Sequence, residues 1–167
     1  MAAIQYSSRL RFIDAAKIPE GDVKLDHLPI YGWGHEKLGN LDGFIVDAES
    51  DAVQYAVVKG GGWFSSERFL LPIGHIDHFD QDKKELMTDI SQDAIRLLPE
   101  FDKEKFLTMS DAELREFERA TSAACCPNVV VVEEVVWIHD EGGHYRQPSW
   151  WRAEYAQTPA STVRTRP

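Results

Sequence analysis

The first part of the chain alternates between short apolar runs and clusters of turn residues. Valine, isoleucine, leucine and aromatic residues fill the runs, and glycine, aspartate, serine and proline separate them. This punctuation is typical of antiparallel strands joined by tight turns, and it predicts a small antiparallel β-barrel. The predicted strands are residues 9–13 as an edge strand, 28–31, 39–47, 52–59 and 67–73, with a last strand at either 76–79 or 85–89.

Both faces of the predicted strands 39–47 and 52–59 are apolar. Successive side chains of a strand point to opposite sides, and a small closed barrel fills only its interior. The outer face therefore needs a cover, either from the C-terminal segment or from a partner. We expect a homodimer, in which a second copy covers a set of apolar side chains predicted to be exposed, namely Phe44, Val46, Ala56 and Val58.

Two helix starts follow the predicted barrel. Ser91 is placed to cap a short helix that runs through Leu98. Ser110 and Glu113 have the spacing of a capping box, in which each side chain accepts a hydrogen bond from the backbone of the other residue. We expect the second helix to end near Ala123.

The C-terminal part changes character twice. The β-branched run at 129–138 and the turn residues at 140–143 predict a hairpin, whereas the polar residues 158–167 predict a disordered end. Between them lie Trp150 and Trp151. Adjacent side chains of an extended chain point in opposite directions, so one indole is expected inside and one outside. Packing against the chain's own barrel and anchoring of an interface both remain open.

The motifs of the predicted barrel also resemble a known family. They share a fixed order and spacing, and they are the run Leu38 to Asp47 (LGNLDGFIVD), the strand beginning at Tyr55 (YAVV), the turn ending at Trp63 (GGW) and the strand ending at Ile73 (LLPI). Over residues 26–100 this order is similar to the PRC-barrel family, found in the H subunit of photosynthetic reaction centres and in a ribosome-maturation factor. The resemblance implies a barrel that docks on other macromolecules, without a family-wide active site or cofactor.

Pattern and resemblance together predict a mainly β chain in which a small antiparallel PRC-type β-barrel carries a C-terminal α/β extension. The predicted parts are an N-terminal arm at 1–25, the PRC-barrel domain at 26–100, a helix and hairpin at 101–155, and a disordered tail at 156–167.

Charge restricts the partners that such a barrel would bind. The 167 residues carry a net charge of −10, and nucleic-acid affinity depends on basic side chains that displace counterions. The same charge opposes docking on anionic lipid, and the sequence has no run of about 18 apolar residues that would span a bilayer. We expect a cytoplasmic protein that does not bind nucleic acid and does not insert into a membrane.

The densest cluster of metal-ligand residue types is the segment 75–80. His75 and Asp77 lie on one face of a strand, and His78 and Asp80 lie on the other, so the four side chains cannot converge without a bend. We therefore predict no metal site there.

Other candidate chemistry is incomplete. The glycines at 60–62 lack the lysine, the hydroxyl residue and the following helix of a phosphate-binding loop, so they predict a turn. Ser65 and Ser66 lack the strand-to-helix setting of a nucleophile elbow. Adjacent Cys125 and Cys126 are expected to be reduced, because a bridge between neighbouring cysteines is strained, although a redox switch or metal clip remains open. We predict no catalytic, cofactor-binding or metal residue.

The sequence thus favours a non-enzymatic adaptor or scaffold that binds a protein partner through the barrel's outer face and the C-terminal extension. The alternative is a small-molecule or metal-responsive sensor that uses residues 75–80.

Overall fold

The computed structural model describes residues 10–18, 25, 27–60, 68–80, 82–125, 147–152 and 155–156, with Asp77 and Cys125 described by backbone alone. Seven strands and three α-helices lie in this part of the chain. The strands are β1 (Leu10–Asp14), β2 (Pro29–Tyr31), β3 (Lys37–Asp47), β4 (Val53–Gly60), β5 (Arg68–Pro72), β6 (Ile76–Asp80) and β7 (Glu85–Thr88). The helices are α1 (Gln92–Ile95), α2 (Lys103–Leu107) and α3 (Asp111–Cys125), and short 3-10 turns lie at Ala15–Lys17 and Ile73–His75.

The predicted strands are confirmed to within one or two residues, and both candidates for the last strand are formed. The Ser91 cap is confirmed, because its hydroxyl accepts the N–H of Ala94, although α1 ends three residues before Leu98. The Ser110–Glu113 capping box is also confirmed, with its two bonds at 2.9 and 3.1 Å. Helix α2 was not predicted.

The strands form one sheet in the order β5-β4-β3-β2-β7-β6, and β1 pairs with β3 alongside β2. The expectation of a wholly antiparallel barrel is wrong at one pair, since β2 and β7 run parallel with Ile30 opposite Leu86. Strand β7 pairs antiparallel with β6 in a hairpin, and this hairpin places β7 beside β2 in the same direction. Parallel neighbours need a long connection, which the chain from β3 to β6 provides here. The sheet is mixed, and among the described residues its strand pairing does not close into a barrel.

One face of the sheet holds the larger core. Phe44, Val46, Ala56 and Val58 are each 0% exposed there. The expectation that these four side chains are exposed and covered by a second copy is therefore wrong, because they are packed inside their own chain. The homodimer itself stays a prediction.

The opposite face, here called the outer face, holds a second core. Ile45, Tyr55, Val57 and Leu70 of the sheet pack there against α2, α3 and the segment before them. The side chains that cover the strands are Phe101, Phe106 and Leu114. The chain thus covers its own outer face, which settles the choice that the sequence left open.

Residues 147–152 and 155–156, here called the C-terminal strap, close the larger core. The side-chain amide of Gln147 accepts the N–H of Val53 at 2.9 Å and donates to the Val53 carbonyl at 2.7 Å. The Trp151 indole N–H donates to the Asp51 carbonyl at 3.2 Å, and Arg11 donates to the Ala156 carbonyl at 2.7 Å. These bonds join the strap to β1 and to the start of β4.

Both tryptophans of the strap pack on the same residue. The Phe44 ring centroid lies 5.9 Å from that of Trp150 and 5.0 Å from that of Trp151. The expectation that one indole points outward is wrong, because the backbone turns at residues 149–150 and is not extended. The strap packs against the chain's own sheet.

Several predictions lie outside the described residues: the hairpin at 129–146, the tail at 158–167, residues 61–62, Ser65, Ser66 and Cys126. In the described part of the chain, no helix has the length and apolar character needed to cross a membrane.

Candidate interaction site

The turn between β2 and β3, residues 32–36, presents an aromatic side chain to solvent and is here called the Trp33 turn. Trp33 is 77% exposed, and Leu97, just after α1, is 71% exposed. These two are the large hydrophobic residues that are exposed within the described ranges. Aromatic residues, tryptophan included, are enriched at protein interfaces relative to the rest of the surface, so this exposed indole marks a candidate contact.

Backbone hydrogen bonds hold the Trp33 turn in one conformation. The N–H of Gly32 donates to the Glu36 carbonyl, and the N–H of His35 donates to the Gly32 carbonyl, both at 2.9 Å. The Trp33 N–H donates to the Ile90 carbonyl, also at 2.9 Å. The turn is therefore fastened to the segment that leads into α1, and its indole is presented on a fixed backbone.

A glycine is required where the turn meets that segment. A Cβ atom at Gly32 would lie 2.7 Å from the Ile90 carbonyl oxygen, closer than real Cβ contacts allow. The absence of a side chain lets the Trp33 turn approach the start of α1.

A second ring extends the aromatic surface. His35 has a left-handed backbone, with φ of 65°, and its imidazole stacks on Tyr31 with centroids 5.0 Å apart and planes 11° apart. Tyr31 is half-buried on β2, whereas His35 is exposed. The stack places the exposed imidazole on a ring that the sheet holds, next to Trp33 in the chain.

Two side chains of the segment 75–80, those of His75 and Asp80, contact local partners. The His75 Nδ1 lies 2.8 Å from a carboxylate oxygen of Asp89, the residue that follows β7. Asp80 accepts the N–H groups of Asp82 and Lys83 in the turn after β6, and the Lys83 bond contributes most to lowering the pKa of Asp80. Among the residues with described side chains, no three His, Cys, Asp or Glu residues are grouped to hold a metal ion.

A shallow open cavity of about 370 Å³ lies beside residues 40–42 of β3. Its wall includes Lys59 and Asp42, and Asp42 is already paired with Arg68 at 2.9 Å. The Asn40 side chain donates to the His27 carbonyl at 3.0 Å. The polar groups are largely engaged with one another, so the cavity defines no ligand chemistry.

Sequence reasoning missed one buried acid. Glu118 on α3 is 1% exposed, and its Oε2 accepts the Tyr55 hydroxyl at 3.3 Å. Burial raises the pKa of Glu118 to about 8, while Tyr55 and Arg115 act in the opposite direction. The sequence held a signal, because Glu118 lies one helical turn after Leu114 and so shares its apolar face.

A comparison with protein families gives a match that covers β2 to β7. The model of the PRC-barrel domain matches residues 20–95. The chain carries a PRC-barrel domain. This domain has a fold of the protein-interaction type, and both the Trp33 turn and α1 lie within the matched residues.

A protein of Deinococcus radiodurans described as uncharacterized is similar to part of the chain. The two are 34% identical over 68 residues, which is 37% of this chain and 25% of that protein. The match thus spans about a quarter of the relative's length.

Proposed function

We propose that this PRC-barrel protein is a non-enzymatic adaptor that binds a protein partner through the Trp33 turn. The observation that carries the proposal is the 77% exposure of Trp33 on a backbone held by three hydrogen bonds. Tryptophan is among the residues that contribute most to protein interfaces. A side chain on a fixed turn also loses less conformational freedom on binding.

Charge specifies the chemistry of the partner. With a net charge of −10, the chain favours partners whose contact surface is basic. The indole requires an apolar pocket, since a stable interface desolvates its central aromatic residue. The proposed partner is a protein with an apolar pocket surrounded by basic side chains.

The proposed contact differs from the one expected from the sequence. The outer face of the sheet is covered by α2 and α3, and the strap packs on Phe44, so neither surface is available in this conformation. The Trp33 turn lies outside both covered surfaces, and its backbone is already ordered.

We also propose that the protein forms a homodimer and that it is cytoplasmic, as expected from the sequence. The dimer is supported by an open sheet edge, because β6 ends the strand order and pairs only with β7 among the described strands. Edge strands of this kind pair readily with another copy. Light scattering that gives twice the chain mass of 19.0 kDa would support the dimer, and a single chain mass at tens of micromolar would contradict it.

The adaptor proposal is tested by the affinity of a purified pair. Co-purification from the native cell identifies a partner, and the dissociation constant is then measured for wild type, Trp33→Ala and Glu104→Ala. We expect Trp33→Ala to weaken binding about thirtyfold or more, which corresponds to a hot-spot loss of roughly 2 kcal/mol. Glu104 is exposed on α2 and serves as the matched surface control.

Thermal unfolding of each variant separates binding from folding. Trp33→Ala should keep the wild-type melting temperature, because its side chain is largely in solvent already. A folded Trp33→Ala protein that binds with wild-type affinity would contradict the proposed contact.

A further inference from the structure

Helix α3 covers the outer face of the sheet with a face that is only partly apolar. Leu114, Glu118 and Thr121 follow one another at helical spacing and are 0%, 1% and 1% exposed. A carboxyl group thus occupies a position that packing would normally give to an aliphatic side chain.

The Glu118 carboxyl has little polar compensation. Its Oε2 receives the Tyr55 hydroxyl of β4 at 3.3 Å, near the upper limit for a hydrogen bond. Its Oε1 is buried and has no hydrogen-bond partner. A buried carboxylate needs several donors to remain ionised, and these are not supplied here.

The charged groups near the Glu118 carboxyl do not supply the missing hydrogen-bond donors. Arg115 of the same helix attracts the carboxylate, although less strongly than burial opposes it. Other charged side chains of the neighbouring elements have contacts of their own: Lys103 of α2 lies over the Phe12 ring at 5.1 Å, Asp47 of β3 accepts the Glu49 N–H, and Arg68 of β5 pairs with Asp42. At the end of α1, which lies beside α3, Arg96 pairs with Asp93 at 3.8 Å. The buried hydrophobic residues that β1, β3, β5 and α2 contribute to this core are Leu10, Phe12, Ile45, Leu70 and Phe106.

We propose that α3 is a pH-released cover: ionisation of Glu118 detaches the helix from the sheet and exposes the apolar outer face formed by Ile45, Tyr55, Val57 and Leu70. The proposal is independent of the Trp33 turn, which lies on a different surface.

The geometry sets the direction of the response. In the detached helix the Glu118 carboxyl is hydrated and titrates near its ordinary value of 4.5, whereas in the docked helix its pKa is about 8. Between these values the docked form holds a proton that the detached form has lost. The equilibrium constant for detachment should therefore rise about tenfold for each pH unit in this window and level off above it.

Amide hydrogen exchange of the full-length protein measures this constant directly. Exchange of residues 111–125 would be followed from pH 5 to pH 9, with each rate divided by the intrinsic rate at that pH. We expect the opening constant of α3 to rise about tenfold per pH unit in the wild type up to the pKa and to be independent of pH in Glu118→Gln. Strands β3 and β4 supply an internal reference in the same sample, and they should respond less.

Glu116→Gln is the matched control, because Glu116 lies on the exposed side of the same helix and pairs with Arg119. It should keep the wild-type pH dependence. An equal pH dependence in Glu118→Gln, or none in the wild type, would overturn the proposal.

A second measurement needs no variant. The carboxyl carbon of Glu118 can be titrated by NMR in labelled wild-type protein, and we expect a midpoint well above that of exposed glutamates. A midpoint in the ordinary glutamate range would show that the docked helix tolerates the charge, and the cover would then not respond to pH.

Discussion

At the scale of single residues, one of the closest approaches in the sheet depends on the absence of a side chain at Gly43. A Cβ atom at Gly43 would lie 2.3 Å from the Ile13 carbonyl oxygen and 2.7 Å from the Phe12 ring. Strand β1 pairs antiparallel with β3 at this point, with Asp14 opposite Gly43. At Gly34 a Cβ would meet only the Glu36 side chain, whose far end can rotate away.

These two glycines make a matched pair for mutation. We expect Gly43→Ala to lower the free energy of unfolding by at least about 2 kcal/mol, because neither a backbone carbonyl nor a packed ring can yield easily. Gly34→Ala should change it by less than about 1 kcal/mol. Urea unfolding monitored by circular dichroism measures both, and equal effects would show that β1 adjusts more readily than its packing indicates.

At the scale of elements, the C-terminal strap acts as part of the core. Its two indoles and Tyr155 form a chain of ring contacts that begins at Phe44, with Trp151 and Tyr155 centroids 5.3 Å apart. Gln147 meanwhile satisfies both backbone groups of Val53. The strap thus contacts β4 through hydrogen bonds and β3 through aromatic packing.

Removal of the strap should therefore destabilise the domain. A chain that ends at Arg146 is expected to lose roughly 3 to 5 kcal/mol of unfolding free energy, comparable to deletion of a large buried aromatic side chain. A chain that ends at Gln157 keeps the strap and lacks only the polar end, and it should unfold as the full chain does. Equal stability of the two truncated chains would contradict the contribution of the strap to the core.

At the scale of the whole molecule, the buried acid links stability to pH. The folded pKa of Glu118 lies above its unfolded value of 4.5, so its stabilising effect is fully present below 4.5 and is lost as pH rises to about 8. The slope expected from one group is about 1.4 kcal/mol per pH unit.

The effect of Glu118 is isolated by comparison with Glu118→Gln. The difference in unfolding free energy, variant minus wild type, should increase with pH between 5 and 8, because the amide does not titrate. Urea unfolding at each pH measures this difference. A difference that is constant with pH would mean that the carboxyl is ionised in the folded protein.

The net charge supports a prediction about partners at the same scale. The chain has 18 Lys and Arg residues and 28 Asp and Glu residues. It therefore lacks the excess of basic side chains that releases counterions from a phosphate backbone. We expect no tight binding to single-stranded or duplex nucleic acid at physiological salt. A submicromolar, salt-sensitive shift in a gel assay would disprove this expectation.

Local patterns were sufficient for some features and insufficient for others. The strands were predictable because β-branched alternation and turn residues act over a few positions, as in the YAVV run at Tyr55. The parallel pairing of Ile30 with Leu86 was not, since it depends on where a distant hairpin returns. Helix α2 has five residues, too few for a helical period to be recognised.

The candidate sites also combine features that local sequence predicts with features that depend on distant parts of the chain. The turn at Gly32 and Gly34 was predictable, but the exposure of Trp33 depends on its bond to Ile90, far along the chain. The burial of Glu118 likewise depends on which side of α3 meets the sheet. The position of the two strap indoles was mispredicted because an extended backbone was assumed where the chain turns.

The bond between the Arg11 guanidinium and the Ala156 carbonyl joins residues 145 positions apart. During synthesis, the first strand therefore emerges long before the group that it binds exists. Contacts of such long sequence separation slow folding, because much of the chain must be ordered before they form. The core around Phe44, to which Tyr155 and Ala156 contribute, can therefore reach its final packing only after residue 156 has left the ribosome.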